Sequence, residues 1–233
     1  MIDIPEYIWH NVDSPWISLE LDTWDGFTRG RAAAKYPARS TVFWQGKEFT
    51  CLYIVKKGKV RISVYNQDGQ EQQLYIACKG AIIGEVACIL GKHHVTTAKT
   101  LQATELYVVP SKEAQRLFHS DPILADRLLQ YEARKNRMMI AQQTMLSFDR
   151  ATQRIAKVLL NLCDAYGRVR PEGIYITLRF TCTDIATMVS TSRVTVNNTL
   201  LELANAGVIE KQEGYYLIRD EARLQEMATA PQE

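Results

Sequence analysis

Arg193, Val194, Asn197 and Asn198 place a guanidinium, a small apolar side chain and two carboxamides at spacings of one, three and four. On a helix such spacings gather side chains on one face. These types match what base pairs display in a major groove. Arg forks onto guanine, Asn pairs with adenine, and an apolar group packs on the thymine methyl. Ser192 and Thr195 open the same predicted helix, and Thr181 and Thr183 open the one before it. The expected DNA-contact set is therefore Thr181, Thr183, Ser192, Arg193, Val194, Thr195, Asn197 and Asn198.

Two short helices and a turn must hold that face. Thr181 or Thr183 can cap the first helix, since a hydroxyl accepts from the orphan N–H groups of a first turn. Ile185, Ala186 and Val189 give it an apolar side, and Ser190-Thr191 is the turn. Ser192 starts the second helix, whose inward face is Val196, Leu200 and Leu203, and Gly207 closes it as a C-cap. Val208-Ile209 then begins a hairpin with Gly214 at its tip and Tyr215 to Ile218 returning, which reads as a wing. Packed helix pairs also occur in proteins that touch no DNA. The order of Ser/Thr turn, Arg-led helix, Gly and Gly-tipped hairpin is what favours DNA.

Composition neither announces nor forbids this. The net charge is +2, and from Asp149 onward ten Lys and Arg face eleven Asp and Glu. Phosphate contacts must come from a local patch, Arg150, Arg154, Arg168, Arg170, Arg179 and Arg193, which a dimer would double. Residues 1–6 have no basic or apolar run of a signal peptide, and no window approaches a membrane span. Five cysteines at wide spacings, with no C-x-x-C, argue against a disulfide framework and fit a reduced cytoplasm. No Ser/His/Asp spacing, P-loop or zinc motif speaks for an enzyme, and no cofactor or metal site is expected.

Residues 1–26 read as a packed aromatic arm carrying Trp9, Trp16 and Trp24. From Phe27 to about Pro110, short strands alternate with turns at Lys57-Gly58 and Asp68-Gly69, as in a small antiparallel roll. A short helix runs from Ser111 to about His119. Asp121-Pro122 starts a long one that reaches about Ser147. Leu124, Leu128, Tyr131, Lys135, Met138, Gln142 and Met145 alternate by four and three along it, the seam of a two-stranded coiled coil. The expected dimer interface is Leu124, Leu128, Tyr131, Met138, Gln142 and Met145. The other reading is an amphipathic helix packed on its own domain. A hinge falls at residues 148–150, and a helix follows from Ala151 to Tyr166, closed by Gly167. The fold class is α+β, in three parts: arm and effector-binding roll (1–120), dimerisation helix (121–148) and winged helix-turn-helix (149–233).

This order resembles the Crp/Fnr family of bacterial transcription regulators over nearly all of residues 27–220. The carrying motifs are Tyr53-Ile-Val-Lys-Lys-Gly-Lys-Val, Ile83-Gly-Glu-Val-Ala and Val189-Ser-Thr-Ser-Arg-Val-Thr-Val-Asn-Asn. The resemblance implies double-stranded DNA, a second copy of the chain, a small-molecule effector and RNA polymerase as partners, with no membrane. It implies an effector pocket between the roll and the long helix, at Tyr75, Gly84, Glu85, Val86, His93, His94, Thr96, Thr97, Lys135 and Met139.

Departures from the family bear on the effector. Its cyclic-nucleotide members follow Gly-Glu with an Arg for the cyclic phosphate. Gly84-Glu85 is here, but the following segment, Lys92 to Thr97, holds no Arg, and Met139 and Ile140 offer a base no polar group. No cysteine precedes Cys51, which removes the iron–sulfur members' cluster. Haem remains an alternative through Cys78, Cys88, His93 or His94, as does a ligand-binding module acting through protein partners. Tyr75 and Lys135 look like pocket positions of the branch that senses halogenated phenols, although Glu85 stands where those carry a basic residue. A buried ammonium at Lys135 needs a partner. A small acidic aromatic effector would supply one, and Lys135→Met would then leave melting level or raise it. In the family, Arg, Glu and Arg fall at Arg193, Val194 and Asn198. Only Arg193 is kept, which predicts an A·T-rich palindrome.

Overall fold

The computed structural model describes residues 15–230. The chain divides into two compact units, one up to Met139 and one from Ile140. The long helix is thus no separate body, since residues of both units belong to it.

The first unit is a roll of two sheets. Strands β1 (Trp16–Ile17), β3 (Thr41–Phe43), β5 (Val60–Tyr65), β6 (Glu71–Ala77) and β8 (Thr97–Thr100) form one, in the order β1-β6-β5-β8-β3. Strands β2 (Ala33–Tyr36), β4 (Cys51–Lys57), β7 (Ile82–Ile83) and β9 (Thr104–Pro110) form the other, ordered β2-β9-β4-β7. Neighbours are antiparallel except β1 and β6. Helices α1 (Asp25–Thr28), α2 (Glu85–Leu90), α3 (Ser111–Ser120) and, as far as Met139, the long α4 (Pro122–Phe148) complete it.

Strand β4 shows why its sequence is a nearly unbroken apolar run: both its faces are covered. Leu52 and Ile54 join a cluster with Trp24, Phe27, Ile82 and Val109. Tyr53 and Val55 join another with Val60, Ile62, Ile83 and Leu106, from both sheets. Of the aromatic arm, Trp9 lies outside the described residues and Trp16 is in β1. Trp24 is fully buried, its indole N–H donating to the Gly80 carbonyl at 2.8 Å. Gly80 has φ +79°, and a Cβ there would lie 2.0 Å from the Leu19 carbonyl oxygen, so only glycine fits.

Asp121 caps α4 by accepting from the N–H groups of Ile123 (3.0 Å) and Leu124 (3.2 Å). The expected dimer seam needs correction. Leu124, Leu128 and Tyr131 belong to the first cluster and Met138 to the second, each under a tenth exposed in the single chain. They are the stripe that packs α4 on its own roll and leave little for a partner to bury. Gln142 and Met145 are half-buried. Leu129 and Ile140, on another face, are exposed.

The second unit holds α5 (Ala151–Tyr166), β10 (Gly167–Arg170), β11 (Gly173–Ile176), α6 (Cys182–Val189), α7 (Arg193–Asn205), β12 (Ile209–Gln212), β13 (Tyr215–Ile218) and α8 (Glu221–Thr229). Its sheet runs β10-β11-β13-β12, so the wing is half of a four-stranded antiparallel sheet. Gly167 closes α5 as its C-cap, its N–H donating to the Cys163 carbonyl, without taking a left-handed conformation. Its φ is −72° and it opens β10, where a Cβ would lie 2.3 Å from the Cys163 carbonyl oxygen. Among the described residues, no helix is long and apolar enough to cross a membrane.

Candidate functional site: effector pocket and nucleic-acid interface

In the second unit the capping chemistry aims α7. Thr181 and Asp184 form a reciprocal capping box at α6: the Thr181 hydroxyl accepts from Asp184 N–H (3.1 Å), and Asp184 accepts from Thr181 N–H (2.9 Å). Ser190 takes a left-handed conformation, φ +51°, to make the turn. Ser192 then caps α7 by accepting from Thr195 N–H at 3.0 Å, and the two hydroxyls lie 2.8 Å apart. Thr181, Ser192 and Thr195 therefore have structural duties, while Thr183 is exposed.

Val196, Leu200 and Leu203 are buried, and Arg193, Val194, Asn197 and Asn198 are exposed together. Leu201, 56% exposed, extends this face by one turn and was not anticipated, although its i+3 and i+4 spacing from Asn198 and Asn197 would have placed it there. Gly207 follows with φ +71°, and Val208 N–H returns to the Leu203 carbonyl. Glu213 and Gly214 both have positive φ at the tip of the β12–β13 hairpin, a two-residue turn matched to the strand twist.

The expected phosphate patch is not uniform. Arg154 is committed to carbonyl oxygens, those of Val189 (2.8 Å), Asp149 (2.7 Å) and Ser190 (3.4 Å), and so fixes the end of α6. Arg170 lies over the Tyr175 ring (3.8 Å) and Arg179 over Tyr215 (4.8 Å).

In the first unit a cavity of about 170 Å³ lies among β3, β5, β6, α2 and α4. Tyr75, Gly84, Glu85, Val86, His94, Thr96, Lys135 and Met139 border it together. His93 does not, being exposed. Neither does Thr97, which is buried with its hydroxyl accepting from Gln45 N–H at 3.0 Å. Of Cys78, Cys88, His93 and His94, only His94 reaches it. Phe43, Ile62, Leu74, Ile83, Ala87 and Val95 complete the wall. Ile62 could have been found from register, because it pairs directly with Tyr75 across β5 and β6.

Gly84 sits in the left-handed region (φ +85°) so that α2 can start at Glu85, and a Cβ there would come 3.3 Å from the His94 ring. His94 stacks on Phe43 at 3.8 Å, and burial pulls its imidazole down to about 4, so it is neutral at pH 7. Lys135 is not an ammonium awaiting an acid. It donates to Glu85, whose side chain is 3% exposed, and to Glu132 at 2.7 Å. Burial pulls Lys135 down, but the two carboxylates outweigh it and hold it above the usual lysine range. Glu85 is raised by burial against the pull of Lys135. The Tyr131 hydroxyl donates to the Ile82 carbonyl at 2.7 Å and also interacts with the Tyr75 hydroxyl.

Comparison with known proteins places this architecture. Residues 33–121 match the cyclic nucleotide-binding domain, and residues 153–227 match the Crp-like helix-turn-helix domain. The chain is 30% identical to a cyclic AMP receptor protein of Thermus thermophilus over 193 residues, covering 83% of this chain and 86% of that one. It is 32% identical to a CRP-like cAMP-activated global transcriptional regulator of Mycobacterium tuberculosis over 191 residues, 81% and 84% of the two chains. The structure of CprK complexed with OCPA shares the fold, with a TM-score of 0.66 over 89% of this chain and 94% of that one. At 19% identity it does not assign this chain to the phenol-sensing branch. The chain belongs to the Crp/Fnr family of transcription regulators. It is a Crp-like, ligand-responsive DNA-binding regulator and not an enzyme.

Proposed function

We propose that the chain acts in the cytoplasm as a homodimer that binds an A·T-rich palindrome and answers to an effector other than a cyclic nucleotide. What carries the effector reading is that no free cation borders the cavity among the described residues. Lys135 and His94 are the basic residues bordering it; one is held by two carboxylates and the other is kept neutral by burial. A cyclic phosphate brought there would meet no guanidinium and would lie near Glu85. The size supports this. A cavity of about 150 Å³ holds a benzene ring, and 170 Å³ is little more.

The exposed α7 face supports the DNA reading. Arg193 suits a guanine, Asn198 an adenine, and Val194 a thymine methyl. A symmetric dimer would set two such helices about one DNA turn, ~34 Å, apart. The effector's leverage is its difference in affinity between two arrangements of the long helices.

Random-sequence selection followed by footprinting tests the first part. An A·T-rich inverted repeat is expected, and failure to enrich any site would remove DNA reading. Calorimetry with cyclic AMP tests the second: no binding is expected, and micromolar affinity would overturn it.

A further inference from the structure

We infer that the roll cavity takes a small single-ring amine, bound as its ammonium ion against Glu85. This deepens the proposed effector reading and rests on it. The argument is a balance of charge and of hydrogen-bonding capacity. Glu85 and Lys135 border the cavity, and Glu132, outside its wall and 28% exposed, holds the same ammonium, two carboxylates to one. The other polar side chains facing Glu85 there do not restore the balance. Tyr75 and Tyr131 are neutral, and burial keeps the His94 ring uncharged.

The donors beside Glu85 are also spent. Lys135 points at the two carboxylates, and Tyr131, which also interacts with Tyr75, donates to the Ile82 carbonyl. What remains is acceptor capacity on the Glu85 carboxylate, which is 3% exposed and accepts from Lys135. An anion would add a third negative charge around one ammonium. A neutral alcohol would satisfy the acceptor but not the charge. A cation with donor N–H groups does both. Phe43, Ile62 and Leu74, with a volume of about 170 Å³, suit one ring beside it.

The same geometry says how binding is felt. Glu85 opens α2 and Lys135 lies on α4, so their contact ties the two helices within the first unit. An ammonium on Glu85 takes over part of that contact while Lys135 keeps Glu132. Occupancy of the cavity is thereby converted into freedom of the long helix.

Benzylamine, benzyl alcohol and benzoate share a ring and differ in charge. Their binding to the full chain at pH 7 is measured by calorimetry, on wild type, Glu85→Gln and Glu132→Gln. Benzylamine is expected to bind at least tenfold tighter than benzyl alcohol, with no saturable binding of benzoate. Glu85→Gln should bring benzylamine down to the level of the alcohol. Glu132→Gln, which removes the excess charge without touching Glu85, should weaken it severalfold and serves alone if Glu85→Gln does not fold. Benzoate binding as tightly as benzylamine, benzylamine binding indifferent to both variants, or no saturable binding of any probe would each overturn the inference. Selection of a DNA site is a separate arm: a chain that selects its site but ignores benzylamine keeps the regulator reading and loses this one.

Discussion

Lys135 donates to Glu85 across 50 residues of sequence, joining the long helix to the first turn of α2, and holds Glu132 at 2.7 Å with the same ammonium. Removing that ammonium leaves two carboxylates together, one almost fully buried. Lys135→Met should therefore destabilise the chain by about 3–5 kcal/mol, where sequence alone suggested level or raised melting. Adding Glu85→Gln should recover much of the loss, because the surviving buried group is then neutral. Urea midpoints of the two variants check this; a Lys135→Met midpoint equal to wild type would show the pair to be dispensable.

In the proposed homodimer, the face of α4 that the roll does not use is the one open to a partner. Leu129, Ala133, Asn136, Ile140 and Gln143 are exposed and alternate by four and three. Leu129→Asp or Ile140→Asp should give monomers that keep native circular dichroism, since the new charge faces a partner and not the core. Leu128→Asp should instead unfold the first unit by burying a charge in its cluster. Sedimentation separates these outcomes, and a dimer that survives both exposed-face variants would move the interface elsewhere.

On α7, Arg193→Ala should cost specific DNA binding ~1–3 kcal/mol while leaving stability alone. The side chain is exposed and makes no hydrogen bond or ion pair among the described residues. Val194→Glu should redirect the preferred base at one position of each half-site toward cytosine, whose amino group a carboxylate accepts from. Selection with both variants reads this directly. An unchanged site would place Val194, 65% exposed though it is, away from the bases.

The helix-turn-helix was legible because its signals are local. Thr181 and Ser192 cap, Ser190 turns, and Val196, Leu200 and Leu203 repeat at helical spacing within 25 residues. The roll was legible for the same reason, strand by strand. The partner of the long helix was not. A 4-3 stripe serves packing on one's own sheet as well as on a second copy, and only the pairing of Leu124, Leu128 and Tyr131 with Trp24 and Phe27 decides which. The Lys135 contact was half legible: Glu132 lies three residues away on the same helix, but Glu85 comes from another element. The strands β10 and β11 were missed because Gly167 reads as a helix end and Arg168 to Arg170 as surface.

Arg154 separates structural from reading arginines. Its bonds to Val189 and Ser190 satisfy carbonyls at the end of α6. Arg154→Ala should lower the stability of the second unit by roughly 1.5–3 kcal/mol, the range of one charge-assisted bond. It should also weaken binding to all DNA sequences alike. A changed base preference with unchanged melting would instead make Arg154 a reading residue.

His94 should leave a signature in the acid range. Its imidazole is 5% exposed and stacked on Phe43, and burial lowers it from 6.5 in the unfolded chain to about 4 in the native one. Above pH 7 the ring is neutral in both states and contributes no pH dependence. As pH falls through 6.5 the unfolded chain takes up a proton that the native chain refuses, so stability declines until about pH 4, by roughly 2–3 kcal/mol. Glu85, raised by burial, acts in the opposite sense over part of this window. A wild-type curve alone would therefore mix the two. His94→Phe keeps an aromatic ring against Phe43 and removes the titration, while Glu85 contributes to both curves and cancels in their difference. The difference should be flat above pH 7 and turn in favour of His94→Phe below 6.5. Parallel curves down to pH 4 would mean that the ring is solvated and free to protonate in the native state.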